Sequence, residues 1–330
     1  MTSPNASLPA SPGISVILPV LNEEAHLEDS IRAILSQNYL GTFEVILALG
    51  PSRDSTNEIA RSLAAEDARV ILVENPSGRT AAGLNVALNA STQDVVVRVD
   101  AHSEIPYNYL QLVVEILKES GAVNVGGVMG AEGVTFFETA VAAAMCSPFG
   151  VGGSRFHIGG KAGFVDTVYL GAFIRQAVVD AGGFDERFIR AQDWELNYRL
   201  RQNGGKIYFD PRLQVTYRPR PNLKKLAKQY FQYGRWRRVV SRRHSGTINY
   251  RYLAPPFALV GFSLSLIAGI FLPILFTPAA IYLLFVVLAS IKIATSIREY
   301  LLLLAVIPTM HFAWGAGFIS SPKTLVPAAE

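Results

Sequence analysis

The sequence has little that would hold it covalently. Its 330 residues include one cysteine, Cys146, so an internal disulfide is excluded. No Cys/His cluster has zinc spacing, and a reducing compartment suits such a chain. Charge is also scarce, at 17% against roughly 25% in an average soluble domain. Hydrophobic residues make up 50%, and mean hydropathy is +0.27. The scarcity is local: from Leu253 to Glu330, 78 residues carry only Lys292, Arg298, Glu299, Lys323 and Glu330 as charges. Disorder, a coiled coil and a small disulfide-stapled domain are thereby excluded. A soluble domain of about 250 residues, large enough for a full core, followed by a membrane-embedded segment, fits the distribution.

Acidic residues are missing between Arg218 and Arg243, where ten basic residues stand. With a net charge of +4, the rest of the chain sums to −6. A basic run can signal nucleic acid. This one leads directly into apolar sequence, so anionic lipids at the cytoplasmic face of a membrane are the expected partner, and no nucleic acid is. Residues 1–13 have neither the basic flank nor the apolar core of a signal peptide and read as a flexible N-terminus. The soluble domain is therefore expected in the cytoplasm.

Elements alternate over the first hundred residues. Ile14–Val20, Phe43–Leu49, Val70–Val73 and Val95–Val99 read as strands, and Thr56–Ala65 and Thr80–Leu88 as helices between them. Leu27, Ile31, Ile34 and Leu35 recur at helical spacing, with Asn22 available as a cap. Such alternation predicts an α/β domain, residues 14–217, with a mostly parallel sheet covered by helices. Ligands of such sheets gather at the carboxyl ends of the strands, which places Asn22, the Pro51–Asp54 turn and Asp100 on one rim. Further on, the sequence predicts a helix from Asp193 to Gln202 and a short strand over Ile207–Phe209.

Residues 218–252 form a basic amphipathic segment expected at the membrane interface. Residues 253–319 hold three apolar runs, Pro256–Phe276, Ala279–Ile297 and Tyr300–Ile319, each near the ~20 residues that a bilayer core requires. About three transmembrane helices are expected, with residues 320–330 as a tail.

Several residues have chemistry in reach. Asp100 and His102 directly follow a strand, where a carboxylate can bridge a hard divalent cation to a diphosphate. Asp193 opens a helix and can serve as a general base or as a first-turn or capping acid. Arg79 can touch a phosphate or sit solvated. Arg235 and Trp236 can engage phosphate and sugar, or stand as ordinary interface residues. No dinucleotide fingerprint, P-loop or hydrolase elbow is present.

In order, Ile17-Leu18-Pro19-Val20-Leu21-Asn22-Glu23, Asp54-Ser55-Thr56, Asn85, Asp100-Ala101-His102, Gly182-Gly183-Phe184-Asp185, Gln192-Asp193 and Gln232-Tyr233-Gly234-Arg235-Trp236 resemble a family 2 glycosyltransferase. The resemblance is strongest to the succinoglycan-biosynthesis branch of exopolysaccharide enzymes. It implies a GT-A nucleotide-diphospho-sugar transferase fold, inversion at the anomeric carbon and a divalent cation, Mn²⁺ or Mg²⁺. Pro19, Asn22, Glu23, Asp54, Arg79, Asn85 and Asp100 take nucleotide-sugar-binding places, Asp100 and His102 the metal places, and Asp193 the catalytic-base place. Gln232, Arg235 and Trp236 take places near acceptor and diphosphate. His102 stands where the family has a second Asp, and Leu49-Gly50 where it has acids.

The implied reaction moves a sugar from a nucleotide-sugar to a hydroxyl of a lipid-linked or growing saccharide, at the inner (plasma) membrane. Two alternatives are transfer to polyprenyl phosphate itself and a catalytically inactive scaffold of a polysaccharide export complex.

Overall fold

A computed structural model describes residues 8–325. Residues 1–7 of the expected flexible N-terminus and 326–330 of the expected tail lie outside the described residues. The chain forms two compact units: residues 8–129 with 159–217, and Gly130–Ile158 with 218–325. The second unit thus takes in a segment that the sequence reading placed inside the α/β domain.

The first unit is built on one eight-stranded sheet. Its strands are β1 (Ile14–Val20), β2 (Phe43–Leu49), β3 (Val70–Glu74), β4 (Val95–Arg98), β5 (Asn124–Ala131), β6 (Gly163–Phe164), β7 (Tyr169–Ile174) and β8 (Ile207–Tyr217). Their order is β3-β2-β1-β4-β7-β5-β8-β6. β1 pairs in parallel with β2 and β4, and β2 with β3. β7 runs antiparallel to β4 and β5, and β6 to β8.

The continuous apolar runs of β1 and β2 are what a parallel strand buried on both faces requires. Ile14, Val16, Leu18, Val45 and Leu47 are fully buried, packed in one core with Leu27, Ile31 and Ile34 of helix Leu27–Leu35. After β1 the chain moves through β2 to β3 on one side, then returns to place β4 on the other. The resulting switch point lies between the carboxyl ends of β1 and β4, where the crevice of an open α/β sheet forms.

Two local expectations are corrected. Helix Leu27–Leu35 begins after His26, not Asn22, which adopts φ +55° in the loop before it. β8 extends to Tyr217: beyond Pro211 its residues Leu213, Val215 and Tyr217 alternate inward, so the proline did not end the strand.

The second unit is helical. Helix Phe136–Met145 starts with a reciprocal capping box between Thr135 and Glu138. Helix Leu223–Arg243 is capped by Asn222, whose side chain accepts from Lys225 N. Three further helices, Tyr250–Phe271, Pro273–Ile293 and Ile297–Ile319, are long and apolar enough to cross a membrane.

Candidate active site at the ends of the parallel strands

The loop after β1 is tied to the turn after β2 by side chains rather than by sheet. Asn22 N donates to Ser52 Oγ (3.0 Å) and Asn22 Oδ1 accepts from Arg53 N (2.9 Å). Glu23 N donates to Thr56 Oγ1 (2.8 Å), and Glu24 accepts from Ser55 N (3.0 Å). Asp54 organises this junction, accepting from the Thr56 hydroxyl (2.5 Å) and from Glu24 N (3.5 Å). The Thr56 hydrogen bond, followed by backbone N–H groups, holds the Asp54 carboxyl below its ordinary pKa. Pro19 pairs with Ala48 across β1 and β2, close to Gly83. Pro19, Asn22, Glu23 and Asp54 therefore share one rim, which the fixed left-handed turn at Asn22 shapes.

Directly after β4, His102 crosses to this loop: its Nδ1 lies 3.0 Å from Glu23 Oε1. Beside it stands the most strongly charged group of the site. Arg98, at the end of β4 and with its side chain 6% exposed, donates through Nε and Nη2 to Asp100 Oδ1 (3.2 and 2.9 Å). Its Nη1 donates to Asp193 Oδ1. Neither Asp100 Oδ2 nor Asp193 Oδ2 has a hydrogen bond among the described residues. One cation thus fixes two carboxylates and leaves each with an oxygen for other work.

Electrostatics separate the two acids. Burial favours the neutral form of Asp100, but the charges of Arg98, His102 and Arg190 outweigh it and hold its pKa below the ordinary value. For Asp193, burial dominates; Arg98 opposes it, the Asp100 charge adds to it, and the pKa is raised. Burial also works against the charge on Arg98, yet the two carboxylates keep its pKa high. Neighbouring carboxylates pushed in opposite directions are a mark of acid–base sites.

Asp193 sits in the first turn of helix Gln192–Gln202 and caps nothing: the N-cap is Ala191, held at φ +62°. The capping reading is corrected accordingly. The helix is locked in place by Arg199, which pairs with buried Glu195 (2.7 Å) and donates to Gly183 O (2.7 Å) and to Ala181 O.

Other expected residues divide. Arg79 is exposed at the start of helix Thr80–Ala90, available to a phosphate. Asn85 holds the Gly182–Asp185 turn through its amide, accepting from Phe184 N (2.8 Å) and donating to Phe184 O and Glu186 (both 2.9 Å). In the helical unit, Gln232 and Arg235 are half-buried, and Arg235 Nε has no partner. Trp236 is 2% exposed.

Arg98 is the residue that sequence reasoning missed. Alternation in a strand puts residues i and i+2 on one face, and Arg98 precedes Asp100 by two positions in an otherwise apolar strand. That spacing was the available signal.

Among the described residues, no group of three His, Cys, Asp or Glu side chains stands close enough to hold a metal ion.

Residues 15–177 match the family model of Glycosyl transferase family 2. Over 307 residues the chain is 31% identical to the succinoglycan biosynthesis protein ExoA of Rhizobium meliloti (strain 1021), covering 92% of this chain and 93% of that protein. It is 24% identical, over 87% of this chain and 89% of the other, to a Methanococcus voltae protein named as a glucuronosyltransferase of dolichyl N-acetyl-α-D-glucosaminyl phosphate. Among solved structures, a mannosyltransferase of Pyrobaculum calidifontis in complex with GDP-Man and Mn²⁺ aligns with a TM-score of 0.61 at 21% identity, over 94% of this chain and 87% of that one. The sheet and its helices are those of a GT-A nucleotide-diphospho-sugar transferase, joined to C-terminal apolar helices. The chain belongs to glycosyltransferase family 2 and is a nucleotide-sugar glycosyltransferase with relatives in exopolysaccharide biosynthesis.

Proposed function

We propose that the protein is a membrane-anchored, inverting glycosyltransferase that transfers a sugar to a hydroxyl of a lipid-linked or growing saccharide in exopolysaccharide or cell-envelope glycan synthesis. The carrying observation is the Arg98 bridge, which holds Asp193 beside Asp100 while leaving Oδ2 of each carboxylate unengaged. Asp193, with its raised pKa, accepts the proton of the acceptor hydroxyl as that oxygen attacks the anomeric carbon. The nucleoside diphosphate leaves on the opposite side, and a single displacement inverts the centre. A base of raised proton affinity serves this step better than an ordinary Asp. Arg98 orients both acids and keeps Asp193 from taking its proton too early.

The donor set suits a divalent cation that draws most of its ligands from substrate. Such ions bind through one or two carboxylates plus phosphates and water, and Asp100 has Oδ2 to offer. His102 turns Nδ1 to Glu23, so ligation by His102 falls to Nε2, an arrangement that suits Mn²⁺ better than Mg²⁺. When bound, the ion would neutralise charge on the departing diphosphate. Pro19, Asn22, Glu23 and Arg79 are assigned to the donor, and Gln232 and Arg235 to acceptor and diphosphate.

The C-terminal apolar helices would anchor the enzyme in the inner membrane, with the catalytic unit in the cytoplasm, where nucleotide-sugars are. The relatives named for succinoglycan biosynthesis and for a dolichyl-linked sugar support an envelope glycan and a lipid-linked acceptor. The test is a panel of UDP-, GDP- and dTDP-sugars, screened for nucleotide release by the full chain in detergent with a membrane lipid extract. Release that requires the extract, and a product of inverted configuration, are expected. Retained configuration would overturn the single-displacement mechanism.

A further inference from the structure

We propose that only helices Tyr250–Phe271 and Pro273–Ile293 cross the bilayer, and that the third apolar helix, Ile297–Ile319, lies in the membrane interface on the side of the catalytic unit. The proposal rests on the membrane-anchored reading above and fixes its topology.

The three helices are not alike. The first two display large apolar side chains outward, among them Leu264, Ile267, Ile270, Leu284 and Leu288. The third has more of its apolar side chains covered by protein: Leu303, Val306, Ile307 and Met310 are completely buried, while Ile297, Leu301 and Ile319 remain exposed. Length and hydropathy alone do not separate a spanning helix from one buried in a protein interior.

Its principal partner is helix Leu223–Arg243. The two backbones meet where glycines permit it: a Cβ on Gly234 would stand 2.0 Å from Trp314 O, and one on Gly317 would stand 2.0 Å from Phe231 O. Contacts continue as Arg238 stacks on Phe318 (5.0 Å), Ser321 Oγ donates to Arg235 O (3.0 Å) and Arg242 donates to Ser321 O (2.9 Å). From Phe231 to Arg242 this covers about 16 Å of helix at 1.5 Å per residue. The partner carries eight basic residues and no acid. Each basic residue costs about 2.5–3.5 kcal/mol at the bilayer centre, so this helix stays at headgroup depth and the third helix stays with it.

The other end is held likewise. Arg298 lies 3.7 Å over the ring of Phe136, and the ring of His311 is hydrogen-bonded to Phe149 O (2.9 Å). The chain leading to these partners is short. Arg218–Asn222 separates β8 from helix Leu223–Arg243, and Glu132–Thr135 separates β5 from helix Phe136–Met145. Five extended residues span at most about 18 Å, less than the ~30 Å bilayer core. Neither connection is long enough to cross a bilayer core.

The first two helices form an antiparallel hairpin. Ser265 Oγ donates to Leu275 O (2.6 Å) and accepts from Ala279 N (3.0 Å), and Phe262 meets Tyr282 edge-on at 5.6 Å. The hairpin returns Ile293 toward the face where Tyr250 entered, and Ala294–Ser296 leads into the third helix. The far end of that helix is at the same face: Trp314 stacks on Tyr252 (6.4 Å), and Gly315 packs on Pro255 and Pro256 in the opening turns of the first helix. A helix that starts and finishes at one face does not span. Its place is to seat the Gln232–Trp236 segment at the depth of lipid phosphates.

Cysteine accessibility tests this in the full chain. The sole native thiol is removed as Cys146→Ser, and single cysteines are introduced as Ser62→Cys, Ile274→Cys or Lys323→Cys, all at exposed positions. A membrane-impermeant maleimide is applied to spheroplasts and to inverted vesicles. Lys323→Cys and Ser62→Cys are expected to label only in inverted vesicles, and Ile274→Cys only in spheroplasts. Labelling of Lys323→Cys in spheroplasts together with Ile274→Cys would make the third helix a span and overturn the proposal. Labelling of Ile274→Cys on the same side as Ser62→Cys would show that no helix crosses, and would overturn the anchored reading along with it.

Discussion

Arg98 gives two of its donors to a single oxygen of Asp100, at 3.2 and 2.9 Å, and keeps the third for Asp193. The relationship makes the charge of one residue a control on the proton affinity of two others. An opposite charge within ~4–6 Å lowers a carboxyl pKa by about 1–3 units. In Arg98→Gln the acidic limb of the turnover profile should therefore move to higher pH by about that much, since a base must be ionised to act. Arg98→Lys, which retains the charge, should restore much of the limb's position while losing the two-pronged geometry. A limb unchanged in Arg98→Gln would separate Arg98 from catalysis.

Asp193→Asn should reduce turnover on the order of 10²–10⁴ while donor affinity persists, because the base acts on the acceptor. No cap is lost, since Ala191 occupies that place. Turnover equal to wild type would remove Asp193 from the mechanism and favour an acceptor that carries its own negative charge, such as polyprenyl phosphate.

The two acids should also leave opposite marks on stability. Asp193 has a raised folded pKa, so its contribution is fully present below the unfolded value of about 3.9 and is lost as pH rises through the folded value. Asp100 has a lowered one; its contribution is present above about 3.9 and is lost as pH falls through the folded value. Relative to wild type, the thermal midpoint of Asp193→Asn should improve from pH 4 to pH 7, and that of Asp100→Asn should worsen. Parallel trends in the two variants would contradict the assignment.

How much of this was legible follows from sequence separation. β1, β2 and helix Leu27–Leu35 were readable because apolar runs and helical spacing are local properties. The Asp193–Arg98 pair joins residues 95 apart, and Asn85 meets Phe184 across 99. Nothing local announces such partners. The hold of Asn85 on Phe184 was therefore not foreseen, and Arg98 was passed over. Trp236 illustrates the same limit: on an amphipathic helix an indole suits an interface, and its burial to 2% exposure is a tertiary fact. Helix Phe136–Met145 is an ordinary apolar ten-residue segment in sequence, and its membership of the helical unit is a tertiary fact.

Asp100 also predicts a binding signature. Calorimetry of UDP or GDP with and without Mn²⁺ should show metal-enhanced affinity in wild type, and Asp100→Asn should lose the enhancement while retaining the metal-free binding. His102→Asp should shift the preference toward Mg²⁺, because a carboxylate is the harder ligand. Enhancement that survives in Asp100→Asn would place the cation elsewhere.

Gly234 explains why a glycine stands inside the Gln232–Trp236 segment. A Cβ there would meet Trp314 O at 2.0 Å and Phe318 N at 2.8 Å, both backbone atoms that cannot rotate away. Gly234→Ala must push helices Leu223–Arg243 and Ile297–Ile319 apart, and overpacking of this kind costs about 1–3 kcal/mol or more. Gly317→Ala should behave alike, and the double variant should lose less than the sum, since both act on one contact. Gly261 supplies the control: it lies within helix Tyr250–Phe271 with nothing within 4 Å of an added Cβ. Gly261→Ala should leave the thermal midpoint in detergent unchanged or raise it, as alanine is the better helix former by about 1 kcal/mol. A midpoint for Gly234→Ala matching that of Gly261→Ala would mean that the two helices do not pack backbone to backbone.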